Sequence, residues 1–152
     1  MKFEVASQSD IPKLCGLLDS LFTQETEFKP DNKTQILGLE LIINNSEIGN
    51  ILVARKNNEL IGMVNLLYTI STALGARVAF LEDMVVSSSE RGSGTGSKLL
   101  EFALDYAQEQ GCERITLLTD SENTGAHHFY KKHGFSRSSM VAFRRSINNK
   151  NA

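Results

Sequence analysis

Residues 81–97 read LEDMVVSSSERGSGTGS, and this segment is the most informative part of the chain. Its apolar start, interrupted by Glu82-Asp83, predicts the end of a strand that runs from about Arg77 to Val86. A serine-rich loop follows, with a glycine at every second position from 92 to 96. Apolar residues then recur at helical spacing from about residue 97 to 110, and Gly111 is a typical helix-ending residue. The glycine loop therefore joins a strand to a helix N-terminus.

The loop is suited to an anion. The first N–H groups of a helix lack partners, and the helix dipole places about half a positive charge there. Because Gly92, Gly94 and Gly96 have no Cβ, their amides can turn toward an anion that approaches closely. Arg91 adds a positive charge at the mouth of the loop, and Ser97 offers a hydroxyl. A pyrophosphate matches this set of groups.

Two common pyrophosphate motifs do not match. A Walker loop requires Gly-Lys-Ser/Thr, whereas Gly96 is followed by Ser97-Lys98. The dinucleotide fingerprint requires a third glycine three places after the second, and position 97 is serine. A plain surface loop ended by a serine cap is the alternative, which three alternating glycines at a strand–helix junction disfavour.

The rest of the chain predicts alternating strands and helices around this loop. Strands are expected at 2–6, 49–56, 59–71 and 114–119, helices from about 9 and at 34–44 and 123–133, and one or two closing strands within 135–147. Asn57-Asn58 is a hairpin turn. With the strand that ends at Val86, this order predicts an α/β fold with a mixed sheet of about six or seven strands and helices on both faces.

Composition restricts the class of protein. The chain has 152 residues, 41% hydrophobic and 22% charged, which favours one domain over residues 1–152. A net charge of −2 disfavours nucleic-acid binding. No apolar run approaches a bilayer span, and the start is unlike a secretory signal. Cys15 and Cys112 form no disulfide framework or zinc pattern. A cytoplasmic protein without a membrane partner is expected.

Four motifs resemble one family. Arg91 to Gly96 resembles the Q/R-x-x-G-x-G/A loop of the GCN5-related N-acetyltransferases (GNAT). Leu81 to Val86 before the loop, Asn123-x-x-Ala126 and Phe129 to Phe135 after it also lie where that family places related segments. The resemblance implies a mostly antiparallel sheet that a bulge splays between its fourth and fifth strands. It also implies direct transfer of an acetyl group from acetyl-CoA to a primary amine in a ternary complex, releasing coenzyme A and needing no metal.

The resemblance also implies a set of cofactor-binding residues. The family places the pyrophosphate on the loop amides and the pantetheine arm along the main chain of the preceding strand. An N–H near Met84 or Val85 would then face the carbonyl oxygen. Asn123 resembles a cofactor-contacting asparagine and is otherwise a helix N-cap. The residues concerned are Met84, Val85, Val86, Arg91, Gly92, Ser93, Gly94, Thr95, Gly96, Ser97 and Asn123.

Glu82 and Tyr130 are the candidate catalytic residues. An alkylamine is almost entirely protonated near pH 7, so a base must take its proton. Glu82 and Asp83 are the candidates, expected on opposite faces of the strand. We choose Glu82 because polyamine-acetylating members of the family carry a similar Leu-Glu-Asp segment. The alternative is a pair of carboxylates at an exposed strand end.

Tyr130 can give its proton to a departing thiolate, because a phenol stays protonated at neutral pH. It shares a helix face with Ala126, Phe129 and His133, so it is expected to point inward. The alternative is an ordinary core tyrosine. His127 and His128 are expected to face solvent, and the three histidines have no zinc-helix spacing.

The acceptor amine is the least determined feature. The first two helices and the loop between them usually shape the acceptor site in this family. Acidic residues outnumber lysines in this part of the chain, which favours a small cationic amine resembling a polyamine. The acids are Asp19, Glu25, Glu27, Asp31 and Glu40, and the lysines are Lys29 and Lys33. Alternatives are a protein or peptide amine, a non-catalytic acyl-CoA-binding regulatory module, and a nucleotide-binding module that uses the same loop. A homodimer is a further expectation from the resemblance.

Overall fold

The structure, a computed structural model, describes residues 1–24 and 31–148. Its elements are β1 (Lys2–Val5), α1 (Ile11–Gln24), α2 (Asn32–Ile43), β2 (Gly49–Lys56), β3 (Glu59–Ser71), β4 (Ala76–Val86), α3 (Thr95–Glu109), β5 (Cys112–Leu117) and α4 (Thr124–Lys132). Short 3-10 turns precede α1 and follow β4. The elements predicted up to α4 are therefore confirmed, with their ends displaced by at most a few residues.

Contacts divide the chain into two compact units, Met1–Leu118 and Thr119–Ala152. The first unit contains the whole sheet and helices α1 to α3. The second contains α4. The single domain expected from chain length stays a prediction.

The sheet of the first unit is mixed. Its strand order is β1-β2-β3-β4-β5. The first four strands pair antiparallel in sequence, and β5 pairs parallel with β4. The hairpin from β2 to β3 turns through Asn57 and Asn58, which both adopt positive φ, at 52° and 66°. Asparagine tolerates this conformation better than most residues, which explains the turn at this position.

Helices cover both faces of this sheet. On one face, Leu14 of α1 and Leu39 of α2 are buried in the same cluster as Val53, Met63 and Val85. Alternation places the next residues of each strand on the opposite face, where α3 packs. A Cβ at Gly62 would lie 3.2 Å from Leu99 Cδ2 of α3, so β3 and α3 approach closely there. The predicted mixed sheet with helices on both faces is confirmed.

The predicted closing strands are wrong for the part of the chain described. Residues 136–148 contain no strand, so the sheet there has five strands rather than six or seven. A strand requires a hydrogen-bonded neighbour, and no main-chain pairing joins these residues to the described chain. Their alternating apolar side chains are exposed instead, Phe143 by 94%. The alternating sequence pattern predicted a strand, but it gave no information on whether a neighbouring strand would be available for pairing.

Candidate active site

A β-bulge interrupts β4 shortly before the strand ends at Val86, ahead of the glycine loop in the sequence. Met63 pairs with Val85 and Asn65 with Glu82. One residue of β3, Val64, therefore faces two residues of β4 between these pairs. In an unbroken strand, side chains three positions apart point to opposite faces. The bulge places Glu82 and Val85 on the same face.

That shared face is the one covered by α1 and α2, because Val85 is buried in their cluster. Glu82 is exposed there. The expectation that Glu82 and Asp83 simply alternate is wrong, since Asp83 leaves the regular strand conformation with a φ of 53°. Its carboxylate accepts a hydrogen bond from Asn65 Nδ2 at 2.7 Å, and Asn65 is the residue paired with Glu82.

The parallel pairing between β4 and β5 ends beside this bulge. It runs from Arg77 opposite Cys112 to Leu81 opposite Leu117. In the described chain, β4 continues to Val86 without a further partner from β5. β5 itself ends at Leu117, the residue paired with Leu81, so the main chain of Met84, Val85 and Val86 has no β5 partner in the described chain. The splay between the fourth and fifth strands that the resemblance implies stays a prediction.

The glycine loop leads directly into α3. Gly92 and Gly94 have positive φ, at 82° and 87°, and Gly94 is the N-cap of the helix. The first main-chain bond of the helix runs from Lys98 N–H to the Gly94 carbonyl, at 3.1 Å. No main-chain carbonyl of the described residues accepts from the N–H groups of Gly92, Gly94, Thr95 or Gly96. These donors precede or belong to the first turn of α3, at the positive end of its dipole, whereas the N–H of Ser93 between them donates to the Glu90 carbonyl.

Hydroxyl groups hold the loop in shape. The hydroxyl of Ser93 donates to the Glu90 carbonyl and lies 2.9 Å from that of Thr95. Thr95 is only 1% exposed. Arg91, by contrast, is exposed at the start of the loop, and Ser97 lies half-buried in the first turn of α3. Thr95 therefore anchors the loop to the fold, while Arg91 presents its charge to solvent.

In the second unit, Asn123 caps α4. Its side-chain oxygen accepts from the N–H of Ala126 at 3.0 Å. The N-cap interpretation of Asn123 is confirmed, whereas its contact with a cofactor stays a prediction. His128 is exposed as expected, and His127 is half-buried, with its Nε2 2.8 Å from the Asp120 carbonyl.

Tyr130 lies in an aromatic group within the same unit. Its ring packs edge-on against Phe129 and Phe135, with centroids 5.2 Å and 5.7 Å apart. His133 contacts Phe129 from the helix end. Burial raises the pKa of the Tyr130 phenol above its ordinary value of 10.0, so the hydroxyl keeps its proton at neutral pH. In the described residues, no hydrogen bond engages this hydroxyl.

Several acids expected to attract a cationic substrate have structural partners. Asp31 is the N-cap of α2, and hydrogen bonds from the main chain and side chain of Thr34 lower its pKa. Asp19 accepts from Gln35 Nε2 at 2.9 Å. Glu40 is half-buried. Glu25, Glu27 and Lys29 lie outside the described residues.

Two other kinds of site are not found in the described ranges. No group of three His, Cys, Asp or Glu side chains in residues 1–24 and 31–148 could hold a metal ion. None of the helices described there has the length and apolar character needed to cross a bilayer.

Asn65 is the residue that sequence reasoning missed. It is 3% exposed and sits among the fully buried Met63, Val64 and Leu66 of β3. The sequence did contain a signal for it, a single amide side chain within an otherwise apolar strand. Buried polar side chains usually have a specific hydrogen-bond partner, so such a residue indicates one. The partner itself, Asp83, depends on the bulge and is not visible in the sequence.

The mixed sheet, whose fourth strand runs past the end of the fifth and is followed by a glycine loop at a helix N-terminus, defines a class of α/β proteins. The sequence model of the Acetyltransferase (GNAT) family matches residues 16–135. The chain belongs to this family. The matched range includes residues of both compact units.

Individual relatives agree with this assignment. The chain is 36% identical over 85 residues to an uncharacterized N-acetyltransferase, YhfO, of Bacillus subtilis, covering 56% of this chain and 57% of that protein. It is 30% identical over 86 residues to an aminoalkylphosphonate N-acetyltransferase of Salmonella typhimurium, covering 57% and 56%. The chain thus spans about half the length of these curated relatives.

Solved structures share the fold. A structure from Clostridium difficile 630, described as that of a possible acetyltransferase, superimposes with a TM-score of 0.87 over 96% of this chain and 97% of its own. Sequence identity is 12%, so this likeness concerns the fold alone.

The positive φ of Gly94 leads to a test of the loop. We expect Gly94→Ala to weaken coenzyme A binding about tenfold, because a left-handed conformation costs a side-chain-bearing residue roughly 1–2 kcal/mol and the amides would turn away. Isothermal titration calorimetry with coenzyme A measures the change.

Gly75→Ala is the matched control. Gly75 also has a positive φ, 63°, and a Cβ there, as at Gly94, would meet nothing within 4 Å. This substitution should reduce thermal stability but leave the coenzyme A affinity unchanged. Wild-type affinity in Gly94→Ala would contradict the role of the loop.

Proposed function

We propose that the chain is an acetyl-CoA-dependent N-acetyltransferase that moves an acetyl group directly to a primary amine within a ternary complex. The observation that carries this proposal is the loss of β4–β5 pairing after Leu81, next to the bulge and the glycine loop. Family membership supports the same reaction class. Coenzyme A is the second product.

The residues present fit acetyl-CoA. The loop amides between Gly92 and Ser97 would bind the diphosphate, with Arg91 as an additional charge. The main chain of Met84 to Val86, on the edge that lacks a β5 partner, would bind the amide groups of the pantetheine arm in the way that a further strand does. Asn123 would contact the cofactor through the group that its capping role leaves available. When bound, the thioester supplies an activated acetyl group.

Charge develops on the thioester carbonyl oxygen during amine attack. A main-chain N–H near Met84 or Val85 would stabilise this charge, because fixed donors in a partly dry site need no reorganisation. The bulge supports this role, since an extra residue in β4 leaves main-chain groups outside the regular ladder.

Glu82 would take the proton of the ammonium group, directly or through one water. Its exposure supports this role, as does its position on the sheet face covered by α1 and α2, the helices expected to shape the acceptor site. A carboxylate there would also attract the cationic form of the amine before deprotonation.

Tyr130 would donate its phenolic proton to the departing thiolate of coenzyme A. Burial raises its pKa, which supports this role by keeping the group protonated wherever the enzyme is expected to work. Burial disfavours the charged phenolate of Tyr130. The hydroxyl therefore keeps its proton below the ordinary pKa of 10.0 and loses it only at higher pH.

A small cationic amine, such as a polyamine, is the proposed acceptor. The Salmonella relative is named for aminoalkylphosphonates, which are small amines, and this supports a small molecule over a protein. Glu40 and Glu82 remain as acids that could attract a cation, whereas Asp31 serves as a helix cap. A peptide amine is the alternative.

The direct experiment follows thiol release from acetyl-CoA with a panel of polyamines, aminoalkylphosphonates, aminoglycosides, amino acids and peptides. Thiol release with small amines supports the proposal. Turnover with peptides alone would mean that the acceptor is a peptide amine rather than a small cationic amine. Stabilisation by acetyl-CoA without thiol release from any amine would favour the regulatory module, and stabilisation by ATP alone the nucleotide-binding module.

Tyr130→Phe tests the acid. We expect kcat to fall about 100-fold, because a positioned proton donor contributes on that scale, while coenzyme A affinity stays within about twofold of wild type. Steady-state kinetics and calorimetry measure the two effects. Tyr106→Phe, a change on α3, is the control and should retain kcat. An unchanged kcat in Tyr130→Phe would remove Tyr130 as the acid.

Glu82→Gln tests the base. We expect its pH–rate profile to move to higher pH, because the amine must then lose its proton to solvent before attack. Glu113→Gln removes an exposed carboxylate on β5 and should keep the wild-type profile. A wild-type profile in Glu82→Gln would mean that another group accepts the proton.

The homodimer and the cytoplasmic location stay predictions. Sedimentation velocity with and without acetyl-CoA measures the first, and fractionation of cells that produce the protein measures the second.

A further inference from the structure

Asn65 connects β3 to the bulge in β4. It is paired with Glu82 in the strand register and is 3% exposed. Its side-chain Nδ2 donates to Oδ2 of Asp83 at 2.7 Å. The hydrogen bond therefore joins the two strands where the extra residue interrupts their main-chain ladder.

An apolar residue would suit the surroundings of Asn65 better. Met63, Val64 and Leu66 on the same strand are fully buried. In addition, the Oδ1 atom of Asn65 is buried and has no hydrogen-bond partner in the described part of the chain. A buried polar atom without a partner is unfavourable. The contribution of this asparagine is therefore its donor to Asp83.

Asp83 is one of the two bulge residues of β4, and its φ of 53° lies in the left-handed region, which few residues with side chains adopt and which aspartate adopts more readily than most. Conformations of this kind persist where the surrounding structure holds them. The hydrogen bond from Asn65 holds the Asp83 carboxylate, and with it the main chain, in the bulged conformation.

The bulge determines the face on which Glu82 lies. Val85 is fixed on the α1 and α2 face by its burial. Without the extra residue, Glu82, three positions earlier, would point to the opposite face. Loss of the bulge would therefore remove the carboxylate from the acceptor side of the sheet.

We infer that Asn65 is a positioning residue that fixes the bulge through Asp83 and so keeps Glu82 directed at the acceptor amine. This inference rests on the proposed function, because it matters through Glu82 as the base. Asn65 itself transfers no proton.

Asn65→Leu tests the inference, because it removes the donor and keeps a side chain of similar size. We expect kcat to fall about tenfold or more and the pH–rate profile to move to higher pH, as in Glu82→Gln. Coenzyme A affinity by calorimetry should stay at the wild-type value. In the Glu82→Gln background, Asn65→Leu should have little further effect, because both substitutions act through one group.

Asn50→Leu is the matched control. Asn50 on β2 accepts from the Tyr68 hydroxyl at 2.6 Å, and it is paired with Leu66 rather than with a residue next to the bulge. The substitution should lower the thermal unfolding temperature and leave the pH–rate profile unchanged. A profile shift as large as that of Asn65→Leu would overturn the inference, because general loss of strand hydrogen bonds would then suffice.

A pair of changes at Asp83 tests the same bond from the other side, even if Asn65→Leu does not fold. Asp83→Asn keeps an acceptor, whereas Asp83→Gly keeps the left-handed backbone without one. We expect Asp83→Gly to lose more kcat and to shift the pH–rate profile further than Asp83→Asn. Equal effects would overturn the inference, since the hydrogen bond from Asn65 to Asp83 would then not be needed to hold the bulge.

The outcomes separate the inference from the proposed function. A shifted profile in Glu82→Gln with a wild-type profile in Asn65→Leu would overturn only the inference. Additive effects in the double variant would assign Asn65 a purely structural role. An unchanged profile in Glu82→Gln would overturn the base assignment and the inference with it.

Discussion

β4 has to satisfy its main-chain hydrogen bonds while one of its edges loses the neighbouring strand. Pairing with β3 continues to Val86, but pairing with β5 ends at Leu81. Unpaired main-chain groups are costly unless water or a ligand satisfies them. The exposed edge is therefore a site where another extended chain of amides can bind. The pantetheine arm of coenzyme A is such a chain, and the proposed function rests on this unpaired edge of β4.

The bulge, the glycine loop and the start of α3 all lie at or after the C-terminal end of β4 in the sequence. The bulge reverses side-chain alternation and directs Glu82 to the face of α1 and α2. The glycine loop follows this strand in sequence. Gly92 and Gly94 adopt positive φ there, and the amides of Gly92, Gly94, Thr95 and Gly96 have no main-chain acceptor among the described residues. α3 begins at Thr95 and adds its dipole. The proposed anion site and the proposed base thus lie within a single compact unit.

The sequence predicted these elements where local chemistry determines conformation. Asn57-Asn58 marked the hairpin because both residues tolerate positive φ, and the alternating glycines marked the loop for the same reason. The bulge was less accessible. It depends on a register between two strands, and the alternation rule applied to Glu82 and Asp83 assumes one residue opposite one. The prediction of closing strands was wrong for a similar reason. Residues such as the exposed Phe143 follow a strand pattern, but the pattern does not show whether a neighbouring strand is present to pair with them.

A crystal structure with coenzyme A bound measures this arrangement most directly. The proposed arrangement requires the diphosphate to accept hydrogen bonds from N–H groups between Gly92 and Ser97, with the pantetheine arm alongside Met84 to Val86. Coenzyme A bound elsewhere, or β5 paired with β4 along the whole strand in that structure, would contradict it.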